Sequence, residues 1–128
     1  MRFLMLGILA VAGLMCGLGC SKHDPVELVR KAAEQGDAAA QCEFGICCYT
    51  GIGVEKNPVE AVKWWRKAAE QGDLIAQYDL GHCYAKGDGV GQDLNEAIRW
   101  YRKAAEKGNA DAKKELAKLA PPATQPRP

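Results

Sequence analysis

The sequence predicts an all-α fold, an α-solenoid of antiparallel helix pairs, on three observations. A 36-residue segment recurs without gaps, each copy carries two apolar patterns of helical period, and glycines separate those patterns. The string RKAAEQG occupies residues 30–36 and 66–72 and returns as RKAAEKG at 102–108. Aligning 37–72 with 73–108 pairs Asp37 with Asp73, Ala40 with Ala76, Gln41 with Gln77, Gly45 with Gly81, Cys47 with Cys83, and Trp64 with Trp100. Conservative pairs fill in between, among them Phe44/Leu80 and Trp65/Tyr101.

Within a unit the first helix is expected over about 38–49, with Ala40, Phe44, Cys47 and Cys48 on one stripe. Gly51 and Gly53, and their equivalents Gly87 and Gly89, end it, because glycine alone enters left-handed φ without a Cβ penalty. The second helix starts at Asn57-Pro58, a cap and a first-turn proline, with Glu60 placed to complete a capping box. Asp93 and Glu96 repeat that device. Ala61, Val62, Trp64, Trp65, Ala68 and Ala69 supply the buried side. Recurrence of the tryptophans at one repeat position marks them as core rather than as a stacking platform for a ligand.

Half-repeats flank the two full 36-residue repeats. Residues 24–36 hold a shorter second-type helix from Asp24-Pro25 to Gln35, and 109–120 hold a first-type helix over about 110–119. In that last helix Ala112 and Leu116 stand in register with Ala76 and Leu80, while Lys113, Lys114, Glu115 and Lys118 give the polar exterior of a terminal cap. The order is six helices, with a repeat domain at 24–120 and an extended, proline-rich tail at 121–128. A single helix pair cannot bury both sides of its stripe, so stacking on a near-copy completes the core.

Charge narrows the function classes. The chain has 17 Lys plus Arg against 16 Asp plus Glu, a net +1, and no basic run exceeds two residues. Nucleic-acid binding, which needs a clustered basic face, and polybasic membrane contact are both disfavoured.

Before the repeats, Met1-Arg2 and the apolar run Phe3 to Gly19 read as a signal peptide over 1–19. Gly17-Leu18-Gly19-Cys20-Ser21 resembles the lipobox of bacterial lipoproteins, which implies lipidation of Cys20 and a tether at 20–23. It departs from that pattern in placing Gly17 where leucine usually stands. Ordinary secretion and an uncleaved anchor remain as alternatives, about 17 apolar residues being the lower limit for spanning a bilayer. All three place the body outside the cytoplasm, at the periplasmic face of a membrane or as a soluble periplasmic or secreted protein.

The pattern Ala40, Phe44-Gly45, Gly51-Ile52-Gly53-Val54, Glu60-Ala61, Trp64 and Lys67-Ala68-Ala69-Glu70-Gln71-Gly72 resembles the Sel-1-like repeat, a relative of the tetratricopeptide repeat. That resemblance implies a right-handed superhelix whose members act mainly as adaptors for protein complexes. Cys48 departs from it, standing where Tyr84 supplies the usual aromatic residue, with Tyr49 displaced by one. A cysteine-rich branch of the family, similar to β-lactamases in activity, makes a hydrolase the alternative function. Its disulfides within a repeat have no counterpart here, because no cysteine falls in a second-type helix.

Cys42, Cys47, Cys48 and Cys83 lie within the repeats. Cys42 and Cys47 are too far apart on one helix to bridge, at about 8–9 Å between Cα atoms. Buried thiols or a cross-repeat disulfide between Cys48 (or Cys47) and Cys83 both remain open. His82 beside Cys83 lacks the paired spacing of a metal site, so neither a metal nor another cofactor is expected. Catalytic residues are likewise not expected: Ser21 is the sole serine and stands outside the repeats, and His82 and Cys83 point about 100° apart on a helix. Recognition by a surface is what remains. The stripe opposite the core, Glu43, Ile46 and Thr50 in one unit and Ile75, Asp79, His82 and Lys86 in the next, is the expected protein-binding face. The short tether from Cys20 reaches about 10 Å, so the expected partners are membrane-proximal envelope proteins.

Overall fold

The computed structural model describes residues 24–120, which form six helices: α1 (Pro25–Glu34), α2 (Ala38–Thr50), α3 (Pro58–Glu70), α4 (Leu74–Lys86), α5 (Leu94–Glu106) and α6 (Ala110–Leu119). The expected signal peptide, the expected lipidation site at Cys20 with its tether, and the expected tail lie outside the described residues. Each helix packs chiefly on the one before and the one after it in the chain, the arrangement of an α-solenoid. Among the described residues there is no strand, and no helix is long and apolar enough to cross a membrane.

Equivalent helices start by the same chemistry. Asp37, Asp73 and Asn109 accept a hydrogen bond from the N–H of Ala40, Ala76 and Ala112 at 2.9, 2.9 and 2.8 Å. Asn57 caps α3 through the Glu60 N–H at 3.1 Å, and Asp93 caps α5 through Asn95 and Glu96. The expected capping box is only half formed. The N–H of Asn57 donates to the Cys48 carbonyl and that of Asp93 to Tyr84, tying each turn back to the preceding helix. With the cap N–H occupied, Glu60 pairs instead with Lys63 at 3.4 Å and Glu96 with Arg99 at 3.2 Å.

The turns between paired helices need left-handed backbone. Gly51 and Gly87 sit at φ 79° and 72°, each donating its N–H to the carbonyl four residues back. Two further glycines set the distance between helices. A Cβ on Gly45 would stand 2.6 Å from Nε1 of Trp65, and one on Gly81 would stand 2.8 Å from Cδ1 of Tyr101. Helices α2 and α4 thus each offer a bare patch of backbone on which the aromatic ring of the following helix rests.

Trp64 and Trp100 occupy matching surroundings. Both are buried, both carry a lysine ammonium over the ring, Lys67 at 4.2 Å and Lys103 at 4.5 Å, and both indole N–H groups lack a protein acceptor. The second-type core residues expected from the sequence are all buried in α3. At the C-terminal end Ala112 is fully buried and Leu116 half-buried, as their register requires.

The first-type helices differ from expectation. Phe44 and Cys48 of the predicted stripe are buried, Ala40 and Cys47 only partly, whereas Gln41 and Cys42 are buried as well. Helix α2 has α1 packed on it as well as α3, so a single stripe is too narrow a description. Burial of the glutamines is met by hydrogen bonds: Gln41 and Gln77 donate Nε2 to the carbonyls of Ala33 and Ala69, each at 3.1 Å. Gln71 then donates to Oε1 of Gln41 at 2.7 Å. Lys107 replaces Gln71 in the next unit and reaches Gly72 O instead, which leaves Oε1 of Gln77 without a donor.

Candidate binding groove

A groove of about 490 Å³ runs between α2 and α4, lined by Ile46, Tyr49, Trp65, Ile75, Tyr78, Asp79, His82 and Cys83. It is mostly apolar, and its two isoleucines stand 39% and 56% exposed, unusual for large hydrophobic side chains facing each other across a cleft. Four of the sequence-predicted residues, Ile46, Ile75, Asp79 and His82, meet here. Lys86 borders an adjoining hollow of about 310 Å³, which shares Tyr78 and His82 with the groove. Glu43 and Thr50 are exposed and line neither. Thr50 turns its hydroxyl onto its own helix, donating to Ile46 O at 2.7 Å, a common way for threonine to leave a surface stripe.

Sequence reasoning missed Tyr49, Tyr78 and Trp65 as groove residues. The signal was present for the tyrosines, since Tyr49 and Tyr78 each follow a predicted isoleucine by three residues and share its helix face. Trp65 is expected in the core, and it is core, at 3% exposure, while it also lines the groove.

The walls are held by specific contacts. Trp65 donates Nε1–H to the Cys42 carbonyl at 3.1 Å, and its ring lies 5.4 Å from that of Tyr49. The Tyr49 hydroxyl donates to the Asp88 carboxylate at 2.6 Å, bridging α2 to the turn of the following unit. That acceptor, with burial, pushes the Tyr49 phenol up to about 12. Displacement of the aromatic residue from position 48 to 49 therefore has a structural consequence: it carries the ring into the groove. Tyr78 packs on Tyr101 at 5.7 Å.

Asp79 is the electrostatic feature of the groove. Burial, and then the neighbouring Asp73, raise its carboxyl to about 6. Neither a hydrogen bond nor a cation offsets those effects, and none of the ion pairs among the described residues includes it.

The thiols at 42, 47, 48 and 83 are unpaired in the structure. Cys83 lines the groove, while Cys48 lines a hollow with Arg30, Phe44 and Trp64 on the side of α1. Burial, and then Asp88 and Asp79, push the Cys83 thiol up to about 12, and burial also raises Cys42, Cys47 and Cys48. A protonated thiol is a poor nucleophile and a poor metal ligand. No cluster of three or more His, Cys, Asp or Glu suited to a metal occurs among the described residues.

The fold has solved counterparts. A Sel1 repeat protein from Oxalobacter formigenes is 41% identical, with a TM-score of 0.72 over 82% of this chain and 44% of that one. A protective antigen present in uropathogenic Escherichia coli strains, displaying an SLR fold, is 40% identical at TM-score 0.74 over 85% of this chain and 24% of that one. Cysteine rich protein B of Helicobacter pylori is 25% identical at TM-score 0.68 over 71% and 68%. The chain thus spans less than half the length of the first two. No curated protein matches it. The Sel1 repeat profile matches residues 9–37, 38–73 and 74–109, the last two within one residue of the period read from the sequence and the first overlapping the expected signal peptide. These three successive matches cover most of its length: the chain belongs to the Sel1 repeat family.

Proposed function

We propose that this chain is an adaptor of the bacterial cell envelope, exported and anchored by lipid at Cys20, that holds a segment of a partner protein in the groove between α2 and α4. Sel1 repeats generally mediate protein–protein interaction and are generally non-catalytic. The observation that carries the reading is the groove itself: open, mostly apolar, about 490 Å³ in volume, and edged by exposed Ile46 and Ile75. In solenoids of this kind the first-type helices line the concave face, which presents successive repeats to one ligand. Export is supported by the apolar run Phe3 to Gly19 and the small residues before Cys20.

The hydrolase alternative has less to stand on. Cys83 is the one thiol in the groove, and it is kept protonated at neutral pH. Purification of the chain from solubilised envelopes is expected to recover a specific envelope protein with the wild type. Ile75→Glu, a substitution at an exposed position, is expected to lose it at least tenfold, an effect of about 1.4 kcal/mol. Glu43→Lys lies outside the groove and is expected to retain it. Equal recovery with Ile75→Glu and the wild type would count against the groove as the binding surface, and turnover of a β-lactam or ester by the pure chain would favour the alternative.

A further inference from the structure

We propose that the groove receives a lysine or arginine side chain from an extended segment of the partner, the aliphatic stem lying on Ile46 and Ile75 and the cation reaching the Asp79 carboxylate. This rests on the reading that the groove binds protein. Charge complementarity makes the choice. An apolar groove alone would take leucine or methionine equally well, but this one holds a half-buried acid with no counter-ion among the described residues. An apolar side chain seated there would strip the remaining water from Asp79 and leave nothing in its place, a loss for the complex. An acidic side chain would add repulsion from Asp79 and from Asp73 behind it.

A basic side chain answers both parts of the surface. Its methylenes cover the isoleucines while its charged end pairs with the carboxylate, and the rings of Tyr49 and Tyr78, which share the groove, offer faces that attract a cation. The chain already uses that contact elsewhere, with Lys67 over Trp64 at 4.2 Å. None of the described lysines lines the groove. Lys86 and Lys118 border the adjoining hollow, and Lys118 is paired with Glu115 at 2.7 Å.

The test uses the full chain, labelled with nitrogen-15, and short alanine–serine peptides identical except for a central lysine, arginine, norleucine or glutamate. Lysine and arginine peptides are expected to shift the amide signals of Ile75, Asp79 and His82 and to bind roughly tenfold or more tightly than norleucine, with glutamate weakest. Asp79→Asn is expected to abolish the preference for lysine, weakening the lysine peptide and strengthening norleucine, and Ile75→Ser to weaken every peptide. Equal binding of lysine and norleucine, or an undiminished lysine preference in Asp79→Asn, overturns the proposal, as does a groove closed by self-association of the chain. A cellular partner captured through the groove, together with peptides showing no cation preference, would sink this inference and leave the adaptor reading standing. A cation preference without a cellular partner would uphold the groove's selectivity for a basic side chain and count against the adaptor reading.

Discussion

Alanine in place of Trp64 or of Trp100 is expected to lower the unfolding free energy by about 3–5 kcal/mol in either case, and by closely similar amounts in the two. The magnitude follows from what each ring does. Trp64 and Trp100 are 9% and 6% exposed, they belong to one core cluster, and Phe44 meets Trp64 edge-on at 5.4 Å. Neither indole N–H has a protein acceptor, so truncation removes packing and the lysine contact but orphans no partner. A domain of this size holds about 5–15 kcal/mol in total, and one such loss brings the array close to unfolding. Equality of the two values is the sharper part. It requires that residues 37–72 and 73–108 build the same environment, and urea unfolding of both variants measures it. A cost near zero for one and full for the other would mean that the repeats do not share a core design.

Asp79→Asn is expected to raise stability at pH 7 by about 1–3 kcal/mol and to change it little near pH 4. The folded carboxyl titrates at about 6, above its ordinary 3.8. Below 3.8 the acid is protonated in both folded and unfolded chains and costs nothing. Between 3.8 and about 6 the folded state holds a proton that the unfolded state has released, so stability declines as pH rises. Above about 6 the ionised group sits desolvated beside Asp73 and the full cost is present. Asparagine cannot ionise, so its advantage should grow across that window and then level off. Thermal or urea midpoints at several pH values check this; an advantage of equal size at pH 4 and pH 7 would show that desolvation of the Asp79 charge is not the cause. A carboxylate that costs stability in the free protein and waits for a cation is a feature of binding surfaces.

How much of this was legible in the sequence depended on the kind of information needed. Self-similarity displayed the architecture directly: the six helices, the caps at Asn57 and Asp93, and the glycine turns all follow from patterns local in the chain. Contacts between neighbouring units were not local. The capping box failed because the N–H of Asn57 is claimed by Cys48 of the previous helix, a partner that the spacing of Asn57 and Glu60 cannot show. Gln41 and Gln77 read as surface residues by type, yet they are buried because carbonyls of the preceding unit await them. A narrow stripe for α2 was wrong for a related reason, since a helix inside a solenoid is covered from two directions.

The groove was half legible. Helical spacing placed Ile46, Ile75, Asp79 and His82 on one face, and they do converge. It also swept in Glu43 and Thr50, which lie on the helix surface outside the cleft. Spacing tells which side of a helix a residue occupies, whereas the depth of a cleft depends on what stands opposite. Tyr49 shows the difference: its role comes from a one-residue displacement relative to Tyr84 and from the Asp88 carboxylate that holds it across the unit boundary. The thiols show it too: spacing puts Cys48 and Cys83 on neighbouring first-type helices, and only the packing shows that they border different hollows.

The central claim, that the cleft between α2 and α4 is where a partner sits, is tested most directly by placing a photo-reactive residue at single positions and irradiating intact cells. At Ile75, 56% exposed at the groove, a defined adduct with one or a few envelope proteins is predicted; at Val59, 53% exposed on α3 and outside it, none. Adducts of the same kind and yield from both positions, or none from Ile75, would contradict the account.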